Sequence, residues 1–322
     1  MSDTRIRLAA GTNVGLVRTN NEDNFVICPD LSVSDWTIPQ ANKIVGLGEY
    51  GSLLVVADGM GGANAGEVAS AITVESIQQS FTPEAVAQAA ASDSSIQDFM
   101  VEAVKRADLD VLNAAKEDEA RQGMGTTIVM AWLINDRAYV CWCGDSRCYV
   151  FNPMRGLTQL SKDHSFVQEL VDRGELDPEN AHDHPYSNVI TRCLSDGENR
   201  AEPEVRMYNL QCGDVLLLCS DGLSSVSTDD KIVDVLSQRG EKTLMEVKEE
   251  LIKIALDDGG YDNVTVALCE VLPPENAEAS LQTVSEELNG TTNVTPTRRG
   301  IPGWVWLLAL IALCVGIYLF LR

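Results

Sequence analysis

The 322-residue chain contains 48 acidic and 24 basic residues, which gives a formal net charge of −24 at pH 7. This charge argues against nucleic acid as a partner, because binding to a phosphate backbone needs clustered Lys and Arg. The 45% hydrophobic content is enough for a large buried core, so we expect one large globular domain. Most of the nine cysteines lie inside apolar runs, which predicts buried free thiols rather than a disulfide framework.

Short apolar runs bounded by turn residues predict β-strands along the chain. The predicted strands are Leu53–Ala57, Thr127–Ile134, Ala138–Cys143, Cys148–Phe151, Val205–Leu210, Val215–Cys219 and Val264–Val271. The three strands between Thr127 and Phe151 are separated by Asn135-Asp136 and by Gly144-Asp145-Ser146, which we interpret as tight turns of an antiparallel meander.

Apolar residues at three- and four-residue steps predict two amphipathic helices, one from Ile96 to Ala107 and one from Leu244 to Ile254. The predicted helices come in blocks, and the predicted strands come in neighbouring runs. This order favours an α+β fold with antiparallel sheets over an alternating βαβ pattern.

The C-terminal end has a different composition. Residues 272–300 are rich in Glu, Asn, Thr, Ser and Pro without an apolar period, which predicts a flexible linker. Residues 301–321 are uncharged and long enough to cross a bilayer core of about 30 Å as one transmembrane helix. Because Arg298 and Arg299 precede this segment, the sequence predicts a single-pass protein of the cell (inner) membrane with residues 1–271 in the cytoplasm.

Four acidic segments adjoin apolar runs or Gly-rich turns, where strand ends could deliver carboxylates to one point. They are Arg18 to Asp23, Asp58-Gly59, Asp221-Gly222 and Asp262-Asn263. Carboxylate oxygens are the ligands that Mg²⁺ and Mn²⁺ prefer, and a two-metal site lowers the pKa of water and clamps the oxygens of a displacement at phosphorus. The pattern therefore predicts a metal-dependent phosphoryl hydrolase.

Seven motifs occur in a fixed order along residues 6–271. They are Arg18-x-x-x-Glu22-Asp23, Ala57-Asp58-Gly59-Met60-Gly61-Gly62, Gly125-Thr126-Thr127, Gly144-Asp145-Ser146-Arg147, Asp163-His164-Ser165, Ser220-Asp221-Gly222 and Asp262-Asn263. In this ordered set the chain resembles the type 2C, metal-dependent serine/threonine protein phosphatases of the bacterial branch. The resemblance implies a four-layer αββα sandwich with a central antiparallel β-sandwich. It also implies a flap from His164 to Asn188.

The same resemblance implies roles for individual residues. Asp58 would bridge two Mn or Mg ions, Asp221 and Asp262 would complete the shell of one ion, and Glu22 with the Gly59 carbonyl would help to hold the other. Asp145 with Asp221 would hold a third, weaker ion. As the catalytic residues, Asp23 would orient bound water and Arg18 would bind the substrate phosphate.

Two departures from the family pattern stand out. Met60 lies where some relatives have a histidine that can protonate the leaving oxygen, so the general acid stays unassigned. Ser195 lies where relatives often have a glycine, which could reshape the end of the flap without touching the metal ligands.

Two other functions fit parts of the sequence. Cys141-Trp-Cys-Gly144-Asp-Ser-Arg147 has the Cys-x-x-Gly-x-x-Arg spacing of thiolate phosphatases, although Cys141 lies inside a predicted strand. A catalytically silent, membrane-bound interaction module with the same fold is the second alternative, and its mark would be a missing ligand. The pair His182 and His184 is interpreted as part of an exposed loop rather than a metal site.

These observations together predict hydrolysis of phosphoserine and phosphothreonine on proteins by a two-metal-activated water, tethered to the membrane. Phosphorylated proteins and a cognate serine/threonine kinase are the expected partners.

Overall fold

Two large β-sheets with helices on their outer faces make up the part of the chain that the structure, a computed structural model, describes: residues 4–37, 43–60, 65–197 and 200–273. The strands are β1 Arg5–Asn13, β2 Asn24–Cys28, β3 Ile44–Gly46, β4 Ser52–Ala57, β5 Gly59–Met60, β6 Gly125–Thr126, β7 Ile128–Ile134, β8 Arg137–Cys143, β9 Arg147–Asn152, β10 Gly156–Gln159, β11 Leu194–Ser195, β12 Glu204–Asn209, β13 Val215–Cys219 and β14 Val264–Leu272. The α-helices are α1 Gly66–Ser80, α2 Pro83–Ala89, α3 Asp93–Glu117, α4 Phe166–Asp172, α5 Asp221–Ser224, α6 Asp229–Ser237 and α7 Leu244–Asp257.

All of the strand pairings within these sheets are antiparallel. One sheet has six strands in the order β10-β9-β13-β14-β1-β3, and the other has five in the order β12-β8-β7-β4-β2. A small third sheet has the order β11-β6-β5. The predicted α+β class with antiparallel sheets is therefore confirmed.

Alternate residues of the central strands pack into different layers. Leu54 and Val56 of β4 face the six-stranded sheet, in a cluster that includes Leu216 and Ala267. Leu53 and Val55 face the opposite way, against residues of α1 and α3. On the far side of the molecule, residues of β13 and β14 pack against α6 and α7. Strands that are buried on both faces explain the continuous apolar runs of the sequence, and the layers follow the expected order of helices, sheet, sheet and helices.

The predicted three-stranded meander is wrong in its last strand. β7 and β8 form the expected hairpin, with Ile134 opposite Arg137. β9 instead pairs with β10 and β13 in the other sheet, so Gly144-Asp145-Ser146 crosses between the sheets. Gly144 has φ +125°, and a Cβ there would lie 2.5 Å from a Thr127 side-chain atom. Because these strands are apolar on both faces, their sequence carries no signal for which sheet each one joins.

Two predicted helices are confirmed within α3 and α7, and α7 begins with a capping box between Thr243 and Glu246. Helix α1 was not predicted, because small and polar residues such as Ala69 and Ser70 form much of its buried side. Across the described ranges, none of the helices combines the length and the apolar character that crossing a membrane requires. The linker predicted for residues 272–300 begins too early, because Leu272 belongs to β14. The rest of it from residue 274, and the transmembrane segment predicted for residues 301–321, lie outside the described residues.

Candidate active site

A cavity of about 650 Å³ lies at the edge of the sandwich where β4 and β13 end and β14 begins. Every residue of the predicted site except Asp23 lines this cavity, together with Asn188 at the end of the predicted flap. The predicted residues on the wall are Arg18, Glu22, Asp58, Gly59, Asp145, Asp221 and Asp262. The structure thus brings to one place carboxylates from near both ends of the domain, from Glu22 to Asp262.

Strand β4 carries Asp58 to the cavity, and the small sheet fixes its backbone. The Asp58 carbonyl accepts hydrogen bonds from the Thr127 amide at 2.8 Å and from the Thr126 hydroxyl at 2.8 Å. The next residue, Gly59, donates its N–H to the Glu22 carbonyl at 3.2 Å. A Cβ on Gly59 would lie 2.3 Å from the Gly66 carbonyl oxygen, so only glycine fits between these two backbones.

Asn263 joins the loops that carry Glu22 and Asp262, a role that the sequence analysis did not assign. Its Oδ1 accepts the Glu22 N–H at 2.8 Å, and its Nδ2 donates to the carbonyls of Val14 and Asn20, each at 2.9 Å. An Asn directly after an Asp at the start of a buried strand was the available signal.

Asp23 lies behind the cavity wall rather than on it, and it is buried. Its Oδ2 accepts a hydrogen bond from the Ser220 hydroxyl at 2.7 Å, and the Ser220 hydroxyl in turn accepts from the Thr265 amide at 2.9 Å. Asp23 is therefore linked through Ser220 to the end of β13, which precedes Asp221, and to the start of β14, which follows Asp262.

The segment Gly144-Asp145-Ser146, which crosses between the two sheets, places Asp145 on the cavity wall. Hydrogen bonds fix the residues on both sides of Asp145. The Thr127 and Ser146 hydroxyl oxygens are 2.6 Å apart. His164, at the start of the flap, donates its backbone N–H to the Gly144 carbonyl at 2.9 Å, while its Nδ1 accepts the Gly144 N–H at 3.2 Å. The Asp145 Oδ1 atom is out of contact with solvent and has no hydrogen-bond partner.

Burial and mutual repulsion raise the pKa values of this cluster of carboxyl groups. Burial raises the pKa of Asp23 to about 7 and that of Asp145 to about 7. The pKa of Asp58 lies well above its usual range, first because of burial and then because of the charges of Asp23, Asp221 and Asp145. Burial, followed by the charge of Asp262, also raises the pKa of Asp221. A nearby cation would offset both effects.

Arg18 supplies a positive charge at the mouth of the cavity. Its Nη2 donates to Asp262 Oδ2 at 2.7 Å, and its side chain is 52% exposed. The predicted phosphate-binding residue is thus paired with a predicted metal ligand. Because the pair is exposed, its two groups can exchange partners at little cost.

The donor set fits hard divalent cations, although no coordination shell is assembled. Among the described residues, no three His, Cys, Asp or Glu side chains converge closely enough to hold one ion. The wall nevertheless carries five carboxylates, and the buried Oδ1 of one of them, Asp145, has no hydrogen-bond partner. Mg²⁺ and Mn²⁺ take few carboxylates and keep several waters, so an open cavity with dispersed oxygens suits them.

Other residues on the wall were not predicted as site residues. They are Met60, Asn188, Ile190, Cys193, Ser225, Val226 and Tyr261. Asn188, Ile190 and Cys193 lie at or just after the end of the predicted flap, and the other four lie next to or near predicted ligands or in the loop after α5. Sequence periodicity does not encode which loops meet at the cavity.

The two competing motifs do not form sites in the structure. Cys141 is buried within β8, and burial raises the pKa of its thiol, which is opposite to what a thiolate nucleophile needs. His182 is exposed, as predicted, and hydrogen-bonds through its two ring nitrogens to Asp183 and to the Ser225 carbonyl at 3.0 and 2.8 Å.

Comparisons with known proteins agree with this geometry. Residues 44–259 match the family described as protein phosphatase 2C. Serine/threonine protein phosphatase PstP of Mycobacterium tuberculosis is 36% identical over 268 residues, which cover 83% of this chain but only 45% of PstP. Serine/threonine phosphatase stp of Listeria monocytogenes is 34% identical over 259 residues, covering 80% of this chain and 93% of the relative. The chain thus spans less than half of the PstP sequence that it matches.

Solved structures give the same result. The serine/threonine phosphatase of S. agalactiae superposes with a TM-score of 0.70 at 31% identity, covering 82% of this chain and 99% of the other. The catalytic domain of PstP in complex with two manganese ions superposes with a TM-score of 0.65 at 32% identity, covering 84% of this chain and 100% of the other. With its fold, its ordered motifs and the match over residues 44–259, the chain belongs to the protein phosphatase 2C family.

Proposed function

We propose that this chain hydrolyses phosphoserine and phosphothreonine on proteins. The observation that carries the proposal is the convergence of Glu22, Asp58, Asp145, Asp221 and Asp262 on one cavity with Arg18 at its mouth. The names of the relatives, serine/threonine phosphatases, support the same substrate class.

The metal-holding residues are assigned from the resemblance and from their place on the cavity wall. Asp58, Asp221, Asp262, Glu22 and the Gly59 carbonyl would hold two Mn or Mg ions. Asp145 and Asp221 would hold a third, weaker ion. When bound, such ions lower the pKa of water and neutralise charge on the phosphate oxygens.

The chain's own residues then position the substrate. Arg18 exchanges Asp262 for the phosphate, to which a planar guanidinium donates two parallel hydrogen bonds. Asp23, which accepts a hydrogen bond from the Ser220 hydroxyl, would orient bound water. Met60 has no titratable group, so it does not protonate the leaving oxygen.

The test uses the full chain purified in a non-ionic detergent and assayed on a phosphothreonine peptide with added manganese. Asp58→Asn and Asp221→Asn should each lower turnover by more than about a hundredfold, since each removes a carboxylate charge that would hold the metal ions. Asp98→Asn, at an exposed position of α3, is the matched control and should retain full turnover. Unchanged turnover in either cavity variant, with the native melting transition present, would refute the site assignment.

We further propose that the protein is a single-pass protein of the cell (inner) membrane. In this proposal residues 301–321 cross the membrane, residues 272–300 are a flexible linker, and the catalytic domain of residues 1–271 faces the cytoplasm. The support is the uncharged length of the segment and the preceding Arg298 and Arg299. Fractionation of cells that express the full chain, beside a chain ending at residue 271, tests this: only the full chain should sediment with membranes.

A tethered phosphatase meets membrane-bound partners at a raised effective concentration, which the linker length sets. We therefore propose that its substrates include a cognate serine/threonine kinase or proteins that such a kinase phosphorylates at the membrane. If the chain ending at residue 271 dephosphorylated the same cellular proteins equally well, tethering would have no role in substrate choice.

The silent-module alternative requires a missing ligand, and the sequence has an acidic residue at each of the five carboxylate positions assigned above. Fold alone does not establish activity, so the turnover assay also separates these two functions.

A further inference from the structure

Three large apolar side chains are exposed beside the mouth of the cavity. Leu16 is 68% exposed, Val17 is 61% exposed and Tyr261 is 65% exposed. We call these three residues the apolar rim. Tyr261 also lines the cavity itself, so the rim is continuous with the proposed catalytic site. Exposed apolar groups that cluster at a functional site usually mark a surface that binds something.

The rim is built on two loops that are fixed to each other. The Leu16 N–H donates to the Gly260 carbonyl at 2.7 Å. A Cβ on Gly15 would lie 2.3 Å from the Asp262 carbonyl oxygen, and a Cβ on Gly260 would lie 2.8 Å from Leu16 Cγ, so both loops are in close contact. The exposure of the rim is therefore a property of the folded site and does not come from a frayed segment.

The rim adjoins the proposed phosphate-binding group on both loops. Val17 precedes Arg18, Tyr261 precedes Asp262, and Arg18 and Asp262 form an ion pair at 2.7 Å. An extended peptide advances about 3.3 Å per residue. When the phosphate of a bound phosphoresidue reaches Arg18, a side chain one or two residues away along the substrate is therefore within reach of the rim.

We propose that the apolar rim binds an apolar side chain of the substrate protein, one or two residues from the phosphoresidue. This inference rests on the proposed phosphatase function and adds a substrate preference to it. Binding a leucine in place of a serine on such a surface removes apolar area from water on both partners. The expected gain in affinity is about tenfold.

The experiment uses the full chain in detergent with manganese and a set of phosphothreonine peptides. The peptides carry Leu or Ser at each of the two positions on either side of the phosphothreonine. We expect kcat/KM to be about tenfold higher for Leu at one of these positions, with most of the difference in KM. In Leu16→Ala and in Tyr261→Ala the preference should fall below about threefold.

Met154→Ala is the matched control. Met154 is 94% exposed and lies between β9 and β10, at the end of β9 away from Asp145, so its loss should leave the preference unchanged. Equal kcat/KM for Leu and Ser peptides, or a preference that survives both rim variants, would overturn the inference. A preference that survives while the rim variants elute as a smaller species in size-exclusion chromatography would instead assign the rim to contact between copies of the chain.

Failure of the proposed function is a separate outcome. If the wild-type chain hydrolysed neither these peptides nor para-nitrophenyl phosphate, a small ester without flanking residues, the phosphatase proposal itself would fail. If it hydrolysed the small ester and the peptides without a Leu preference, only the inference about the rim would fail.

Discussion

Replacing Asp145 by asparagine tests whether the cavity stores unfavourable charge in the absence of metal. The variant keeps the shape of the side chain and removes its ionisation. Asp145 Oδ1 has no hydrogen-bond partner, and burial raises the pKa of this carboxyl from 3.8 to about 7. Between about pH 4 and about pH 7, the folded metal-free protein therefore keeps a proton on Asp145 that the unfolded chain has lost.

The sign and the size of the effect follow from this shift. When a carboxyl has a higher pKa in the folded state, the free energy of unfolding falls as pH rises from about 4 to about 7. The full loss of stability remains above that range. About three pKa units correspond to about 4 kcal/mol as an upper limit. Asp23 and Asp221 titrate in the same cluster and absorb part of this cost, so we expect Asp145→Asn to stabilise the metal-free protein by about 2 kcal/mol at pH 8.

Thermal unfolding of metal-stripped protein at pH 5 and pH 8 measures this difference. At pH 8 the midpoint of Asp145→Asn should rise by about 4 to 8 °C for a domain of this size. At pH 5 the rise should nearly vanish, because wild-type Asp145 is then protonated and both side chains are neutral. Asp98→Asn should change neither midpoint. An equal change at both pH values, or a lower midpoint for Asp145→Asn at pH 8, would refute the electrostatic reasoning.

Three further predictions concern single residues of the site and its competitor. Arg18→Lys should raise KM about tenfold with a smaller change in kcat, because an ammonium cannot make the two parallel hydrogen bonds to phosphate; steady-state kinetics on a phosphopeptide measure both constants. Gly59→Ala should lower turnover at least tenfold and destabilise the fold by about 1 to 3 kcal/mol, since its Cβ would meet the Gly66 carbonyl oxygen at 2.3 Å; urea unfolding and the same assay check this. Cys141→Ser should retain turnover while a chelator abolishes it, and the reverse pair of results would restore the thiolate mechanism.

The strands and the site could largely be predicted because their signals are local. A buried strand that ends in Asp-Gly is visible in the sequence both at Asp58 and at Asp221, and each proved to lie on the cavity wall. The ordered motifs then supplied the α+β sandwich and the family. Asp23 shows the limit of this reasoning, because its neighbour Glu22 reaches the wall while Asp23 is buried behind it.

What the sequence did not reveal depends on contacts between distant segments. Which sheet β9 joins depends on its contacts with distant strands. An apolar run that is buried on both faces is compatible with either sheet, so its sequence leaves that choice open. The apolar rim likewise arises only when the loops at Leu16 and Tyr261 meet. Viewed singly, each is an exposed apolar residue of a common kind.

The position of β14 has a consequence for how this protein folds during its synthesis. Among the described residues β14 is the last strand to be synthesised, yet it lies between β1 and β13 in the middle of the six-stranded sheet. Asp262 immediately precedes it, and Asn263 ties the first loops of the chain to this point. A nascent chain on the ribosome therefore has neither the complete six-stranded sheet nor the full set of cavity carboxylates until β14 inserts. The proposed phosphatase activity therefore requires the whole sandwich, and a partly synthesised chain would lack it.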